Sequence, residues 1–380
     1  MPIVARSFFP RIDATATALV ALGLCTVVLV LKTLRQPFAT LRVQGYQQRK
    51  FSRPAAHWVQ HAMDGAKRPA NVSFKDFFYE CYHRDIARGE AFENTEIPHN
   101  APTDRRVRFV SFNVHFFAKG YSNVCLGSNS EEVLQIFKTL NADVILVQEV
   151  PQSALSKFKR NLASLGYTHT VSAGSSDIHV LPADSPYYPG ERLHVMIAAR
   201  LPLLRTAAVP MLNGHAAFAE VSLSTGSGPV ASAAVYCVHL SVRCEPATRR
   251  REIEAVLRHA KDEVGHGLPT FIAGDMNQPN EGDYPAAEWQ VIAEDMTRAK
   301  LPLTDGVMDS LRDQGLRPVW EVATLPRPLS PSSAWNAALV DYCYVSELSQ
   351  SGIEIAASYF LHTAASDHLP LVVDVAHRKH

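Results

Sequence analysis

This 380-residue chain lacks any arrangement that would pair its cysteines or gather them around a metal. The six, at positions 25, 81, 125, 237, 244 and 343, are scattered, with no CxxC and no zinc-ligand spacing. That excludes a zinc finger and a disulfide scaffold and predicts free thiols in a reducing compartment. Net charge is also absent, with 37 Lys and Arg against 37 Asp and Glu. No internal repeat is visible, so a solenoid or propeller is excluded. What charge there is lies unevenly. Residues 1–53 hold eight Lys or Arg against Asp13 alone, whereas residues 101–380 hold 24 basic and 29 acidic side chains. A net acidic bulk argues against a general nucleic-acid clamp and leaves only local basic patches open. With 47% hydrophobic and 19% charged residues, the composition is that of a globular protein with a sizeable core.

Long apolar runs are scarce too, with one exception near the start. Residues 14–31 read "ATATALVALGLCTVVLVL", without a charge. That is about the shortest stretch that spans a bilayer as a helix. Lys32, Arg35 and Arg42 follow closely, so a retained anchor would leave the C-terminal bulk on the cytoplasmic side. The basic "MPIVARSFFPR" before it also suits a cleaved signal peptide or a mitochondrial presequence. We therefore expect an N-terminal segment over 1–35, a connector over 36–104 ending in the loop-like "IPHNAPTD", and one compact domain over 105–377.

Within that domain, apolar or alternating runs predict strands at "VRFVSFNV", "DVILVQE", "LHVMIAA", "AAFAEVSL", "VASAAVYCVHL", "TFIAGD", "ALVDYCYV" and "LVVDV". Amphipathic helices separate some of them. Val133, Ile136, Phe137 and Leu140 follow a capping box, Ser128 to Glu131, and a second apolar stripe runs from Ile253 to Val264 before Gly265. "LPRPLSPSSAW" has the composition of a long loop. Mixed helices and many strands predict an α+β fold with sheets packed in layers.

The chemistry sits where these strands stop. Asn113, Glu149, His239 and the pair Asp275 and Asn277 end apolar strands, Asp341 lies inside one, and Asp367 and His368 precede the last. Ser111, Asn113 and His115 share a face by period-2 alternation. A polar residue ending one strand is usually a turn or a cap. Repetition at so many strand ends is harder to dismiss. Burying several carboxylates close together is costly unless a cation neutralises them, and oxygen and amide donors without thiolate point to Mg²⁺ or Mn²⁺.

Taken in order, "SFNV", "LVQEV", "VHL", "AGDMN", "VDYCYVS" and "SDHLPL" resemble the endonuclease/exonuclease/phosphatase superfamily, over roughly residues 105–377. The resemblance implies a four-layer α/β/β/α sandwich with the site at one end of two packed mixed sheets. It implies Glu149 as principal metal ligand with Asn113 beside it and Asp367 completing the metal environment. It further implies an Asp341–His368 pair, Asp275 and Asn277 positioning nucleophile and phosphate, and His239 donating to a non-bridging oxygen. The chain departs from the pattern at Leu339, where many relatives carry Arg, at Val195, where relatives often carry Asn, and at His115, where some nucleases are acidic. His179, His194 and His215 are lone histidines, expected to be solvated or satisfied in the core.

The expected activity is Mg²⁺- or Mn²⁺-dependent hydrolysis of a phosphoester, most simply a phosphodiester in a lipid or another membrane-associated substrate, given the apolar segment and its basic flank. A DNA or RNA nuclease is the alternative, organellar if the N-terminus is a presequence, and a non-catalytic binding module on the same fold is a third. Arg243, Arg249, Arg250 and Arg251 are candidates for nucleic-acid phosphate contacts, although an arginine run in an amphipathic helix is more often a solvated face.

Overall fold

Apolar and β-branched runs form twelve strands among the described residues: β1 (Arg106–Asn113), β2 (Val144–Pro151), β3 (His169–Gly174), β4 (Leu193–Ala199), β5 (Leu203–Met211), β6 (Gly214–Ser222), β7 (Ser232–His239), β8 (Thr270–Asp275), β9 (Arg317–Pro318), β10 (Asp341–Val345), β11 (Ile353–Phe360) and β12 (Leu371–His377). The computed structural model describes residues 106–118, 128–174, 190–223, 232–242, 245, 247–264, 267–284, 286–298, 300–322, 338–349, 351–361, 363 and 365–378. The expected N-terminal helix (14–31), the connector (36–104) and the Pro-rich loop lie outside them. No helix of the described residues is long and apolar enough to cross a membrane.

The strands make two six-stranded sheets, ordered β11-β12-β1-β2-β4-β3 and β5-β6-β7-β8-β10-β9. Each is mixed. The one parallel pair in each sheet, β1 with β2 and β7 with β8, is joined by a helical crossover, because parallel neighbours need a long return connection. Helix α1 (Ser130–Leu140) makes the first crossover, α2 (Gln152–Ser164) follows β2, and α3 (Thr248–His259) makes the second.

Strand alternation explains the layering. Phe109 of β1 stacks on Phe271 of β8 with ring centroids 5.2 Å apart, which puts the odd-numbered β1 residues between the sheets. Phe112 points the other way, edge-on to Phe137 of α1 at 6.2 Å. On the far side Tyr236 of β7 leaves the second sheet outward, and its hydroxyl lies 2.9 Å from His259 Nδ1 of α3. Helices thus cover the outer faces and the two sheets share the core, as the layered expectation required.

Three local expectations change. Ser128 and Glu131 form no capping box, for α1 begins at Ser130 and its N-cap is Asn129, which makes no side-chain cap bond. The Asn129 amide is committed elsewhere, donating to the carbonyls of Val114, Ala118 and Ala365. Asp341 opens its strand rather than lying inside it. His115 is not carried by β1 either. The strand stops at Asn113, and His115, Phe116 and Phe117 turn with φ of 48°, 41° and 58°.

The strands that alternation did not predict are β3, β5, β9 and β11. These are the four sheet edges. An edge strand is covered less completely than a central one, so its apolar signal is weaker.

Candidate active site

Strand register alone gathers three of the eight candidate residues. In the second sheet β7, β8 and β10 are neighbours, with His239 opposite Asp275 and Asp275 opposite Asp341, so three site residues stand abreast at one sheet end. Gly274 lets these strands close up. Its φ is 144°, and a Cβ there would lie 2.0 Å from the Val238 carbonyl oxygen. Only glycine fits that approach, one residue before Asp275.

Asp275 is the hub. Its Oδ1 accepts the Asn277 backbone N–H at 2.8 Å, holding Asn277 in a left-handed conformation with φ of 49°. Its Oδ2 accepts the Asn113 side-chain amide at 3.1 Å, across the gap between the sheets. The same oxygen lies 3.8 Å from His239 Nε2 and 3.7 Å from His368 Nε2. His368 Nδ1 donates to Asp341 Oδ2 at 2.9 Å, so the expected pair is formed.

The first sheet supplies its residues by irregular backbone. Asn113 ends β1 opposite Gln148 of β2. Glu149 comes next, at a break in the β2–β4 register between Val147 and Val150, with φ of 61°. A bulge of this kind re-aims a side chain out of the strand alternation. Glu149 Oε1 then lies 3.6 Å from His239 Nε2. Asp367 and His368 sit on the loop before β12. Ser366 fastens that loop to β1, its hydroxyl donating to the Asn113 carbonyl at 2.7 Å and accepting the His368 N–H at 3.2 Å. The buried Asn129 adds a second tie, from Ala365 to the turn after β1.

Burial dominates the electrostatics. It pushes the Glu149 carboxyl up to about 7, opposed by the nearby His115 and His368 and by a hydrogen bond from Asn113. It likewise holds His239 below the ordinary histidine value, against the pull of Asp275. For His368 burial is outweighed. The carboxylates of Asp341 and Asp275 keep its imidazole well above the usual value, and therefore charged at neutral pH.

A profile of the Endonuclease/Exonuclease/phosphatase family matches residues 110–368, most of the chain. The chain belongs to that family. It is accordingly a phosphoester hydrolase of a metal-dependent class, and the resemblance read from its motifs holds. No curated protein matches the sequence. Among solved structures, an endonuclease/exonuclease/phosphatase from Beutenbergia cavernae DSM 12333 is similar at 18% identity, TM-score 0.52, over 72% of each chain. A family protein from Bacteroides thetaiotaomicron is similar at 12% identity, TM-score 0.50, over 72% of this chain and 98% of that one. The human Nocturnin catalytic domain, with bound sulfate, matches at 17% identity and TM-score 0.48, over 72% and 94%. The first two support the fold.

The donor set fits the divalent ion that the family implies. Glu149 Oε2 is buried without a hydrogen-bond partner, an orphaned carboxylate oxygen that a hard cation would satisfy. Asn113 is the neighbouring amide, while Asp367 Oδ2 lies beside His115. The described residues also hold a second group able to bind a metal. One ligand atom each from Asp275, Asp341 and His368 lies within 4.8 Å of the others. That group overlaps the residues expected to move or hold a proton.

Two residues that sequence reasoning placed elsewhere enter the site region. His115, expected on the strand face of Asn113 and noted as a departure from the family pattern, is buried with Nε2 3.7 Å from Asp367 Oδ2, delivered by the left-handed turn. Arg249 is no solvated arginine. It is 1% exposed and ion-paired with Asp305 at 3.0 Å. Arg250 behaves as expected of a surface residue, half-exposed and paired with Glu254 one turn on. Arg243 and His179 lie outside the described residues. His194 contacts Gln152, and His215 Nδ1 lies 2.9 Å from the Gly174 carbonyl, so neither joins the site. Leu339 and Val195 are buried apolar residues, so these two positions contribute no polar side chain to the site.

Proposed function

We propose that this family member hydrolyses a phosphodiester with Mg²⁺ or Mn²⁺, acting on a lipid or another membrane-associated substrate. One observation carries the hydrolytic part. Asp275 joins the two sheet ends, with Asn113 at 3.1 Å and both histidines within 3.8 Å, beside a carboxylate oxygen of Glu149 that has no partner. A structural cap on a strand needs no such convergence.

Glu149, Asn113 and Asp367 would hold the ion, which when bound supplies neutralisation of phosphate charge and support for the leaving oxygen. The chain's own groups do the rest. Asp275 and the Asn277 turn orient the attacking water and a phosphate oxygen. His368, kept charged by Asp341, offers Nε2–H to the charge that develops on phosphate. His239, held low by burial, is a neutral imidazole suited to hydrogen-bond a non-bridging oxygen.

The lipid assignment draws on sequence: the uncharged stretch 14–31, its basic flank, and the acidic balance of residues 101–380. On this reading the chain is membrane-anchored with its catalytic part on the cytoplasmic side. The test assays the purified chain, with Mg²⁺ and with chelator, against sphingomyelin vesicles, inositol phosphates, DNA and RNA. Metal-dependent hydrolysis of a lipid is expected. Cleavage of DNA or RNA alone would replace the lipid assignment by the nuclease one, and no metal-dependent hydrolysis would overturn both. Alkaline carbonate extraction of membranes should leave the full-length chain in the pellet; its release would favour a cleaved targeting sequence.

A further inference from the structure

Beneath the site lies an arginine that no step above uses. Arg249, in the first turn of α3, is 1% exposed. Its Nε and its backbone N–H donate to Asp305 Oδ2 at 3.0 and 3.2 Å, while the other Asp305 oxygen accepts the Ala247 N–H. Asp305 thereby serves α3 as a remote N-cap, for Ala247 has no capping side chain. Nη1 faces the catalytic end. It lies 2.6 Å from the Asn277 carbonyl oxygen and 3.4 Å from those of Ser241 and Val242. One turn along α3, the fully buried Glu252 accepts the Ser241 N–H at 2.9 Å and its hydroxyl at 2.6 Å. Asn277 closes the circuit by donating its side-chain amide to the Leu240 carbonyl at 2.8 Å.

The two segments so joined are the exit of β7, which carries His239, and the left-handed turn that carries Asn277. Three backbone carbonyls converging on one buried cation are costly to gather without it. A left-handed asparagine persists only where its surroundings hold it. We infer that Arg249, anchored on Asp305, is a positioning residue for the hydrolytic site. It locks the Asn277 turn and the Leu240–Val242 segment into one unit, and so places Asn277 relative to Asp275. Lysine cannot replace it, since a point charge lacks the planar fork that reaches Asp305 and the carbonyls together. The guanidinium bonds Asp305 and backbone carbonyls rather than a site side chain, so its effect runs through Asn277. This role rests on the phosphodiesterase reading.

The test uses the full chain, bis(4-nitrophenyl) phosphate and Mn²⁺. Arg249→Lys should lower kcat about 10- to 100-fold with KM changed less than about threefold, the scale expected when a catalytic group is misplaced from a distance. In an Asn277→Ala background the same substitution should change kcat less than about twofold, because the two act as one unit. A second variant, Arg249→Met with Asp305→Asn, removes the pair without stranding a buried charge and should show the same kcat loss. Backbone hydrogen exchange should rise at 240–242 and 276–278 while the central strands stay protected. Wild-type kcat in a folded Arg249→Lys protein, full additivity with Asn277→Ala, or unchanged exchange in both segments would overturn the inference. A wild-type chain that leaves the diester intact would instead overturn the phosphodiesterase reading, and the exchange measurement would still decide whether Arg249 clamps the two segments.

Discussion

The two sheets build their halves of the site by different means. The second sheet uses register. His239, Asp275 and Asp341 occupy matched positions on three adjacent strands, so ladder hydrogen bonds place them. The first sheet uses departures from regularity: a bulge for Glu149, a left-handed turn for His115, and a loop fastened by Ser366 and Asn129 for Asp367 and His368. Register is inexpensive and rigid. Irregular backbone costs roughly 1–3 kcal/mol per strained residue, and it frees a side chain from the up-down alternation of the strand. The regular half suits groups that must hold fixed distances among themselves. The irregular half suits ligands that converge on an ion from several directions.

The sharpest way to separate the halves is to remove one residue from each. Glu149→Gln should eliminate metal-dependent turnover while the domain still folds, because the substitution keeps the shape and deletes the charge that the ion needs. Turnover measured against Mg²⁺ concentration checks this; an unchanged metal response would remove Glu149 from the ligand set. The second sheet's Asp341 acts through His368, its partner from the first-sheet loop, and His368→Ala should lower turnover by about 10²–10⁴-fold, the range for a positioned acid–base group. Asp341→Asn should cost as much or less, and the double variant little more than His368→Ala alone. Additive losses in that double-mutant cycle would mean that the 2.9 Å contact is not a working pair.

Smaller effects probe stability. Gly274→Ala places a Cβ 2.0 Å from the Val238 carbonyl and should cost about 3 kcal/mol or more, as strand separation or backbone distortion. Gly315→Ala, where the φ is also positive but nothing lies within 4 Å, should cost only about 1 kcal/mol. Urea melts of both compare them, and equal losses would mean that the close approach of β7 and β8 is not what Gly274 serves.

A pH-dependent effect concerns Glu149 in metal-free protein. Its carboxyl is raised from 4.5 to about 7, so its burial weakens the folded state progressively as pH rises through that interval. Metal-free Glu149→Gln should therefore be more stable than wild type by about 1–3 kcal/mol above pH 7, and the gain should vanish below pH 4.5. Thermal melts in chelator across pH would show it, and a gain independent of pH would assign the effect to packing.

How much of this was legible beforehand depended on what each residue does to the local pattern. Asn113, Glu149, His239, Asp275 and Asp341 interrupt or end apolar strands, where a polar group carries a desolvation cost and so stands out in one dimension. Their family motifs then ordered them. Arg249 carried no such mark, because an arginine in a basic helix turn reads as solvated until Asp305, 56 residues away, is seen beside it. Asn129 carried no mark either, and the capping box expected at Ser128 and Glu131 passed it over. Its partners come from two other segments, the turn after β1 and the loop before β12. His115 followed the strand alternation on paper, but the backbone leaves that alternation at Asn113.

By itself the sequence determined the layered α+β core, the central strands and the chemical identity of the site, since periodicity and polarity are properties of neighbours along the chain. Tertiary structure alone decided which strand ends meet, that Asp275 rather than His368 is the point where they join, and that one arginine is structural to the site instead of facing solvent. Those are distances between segments far apart in sequence. They follow from how two sheets pack and from which buried charges find partners there, and no local pattern encodes them.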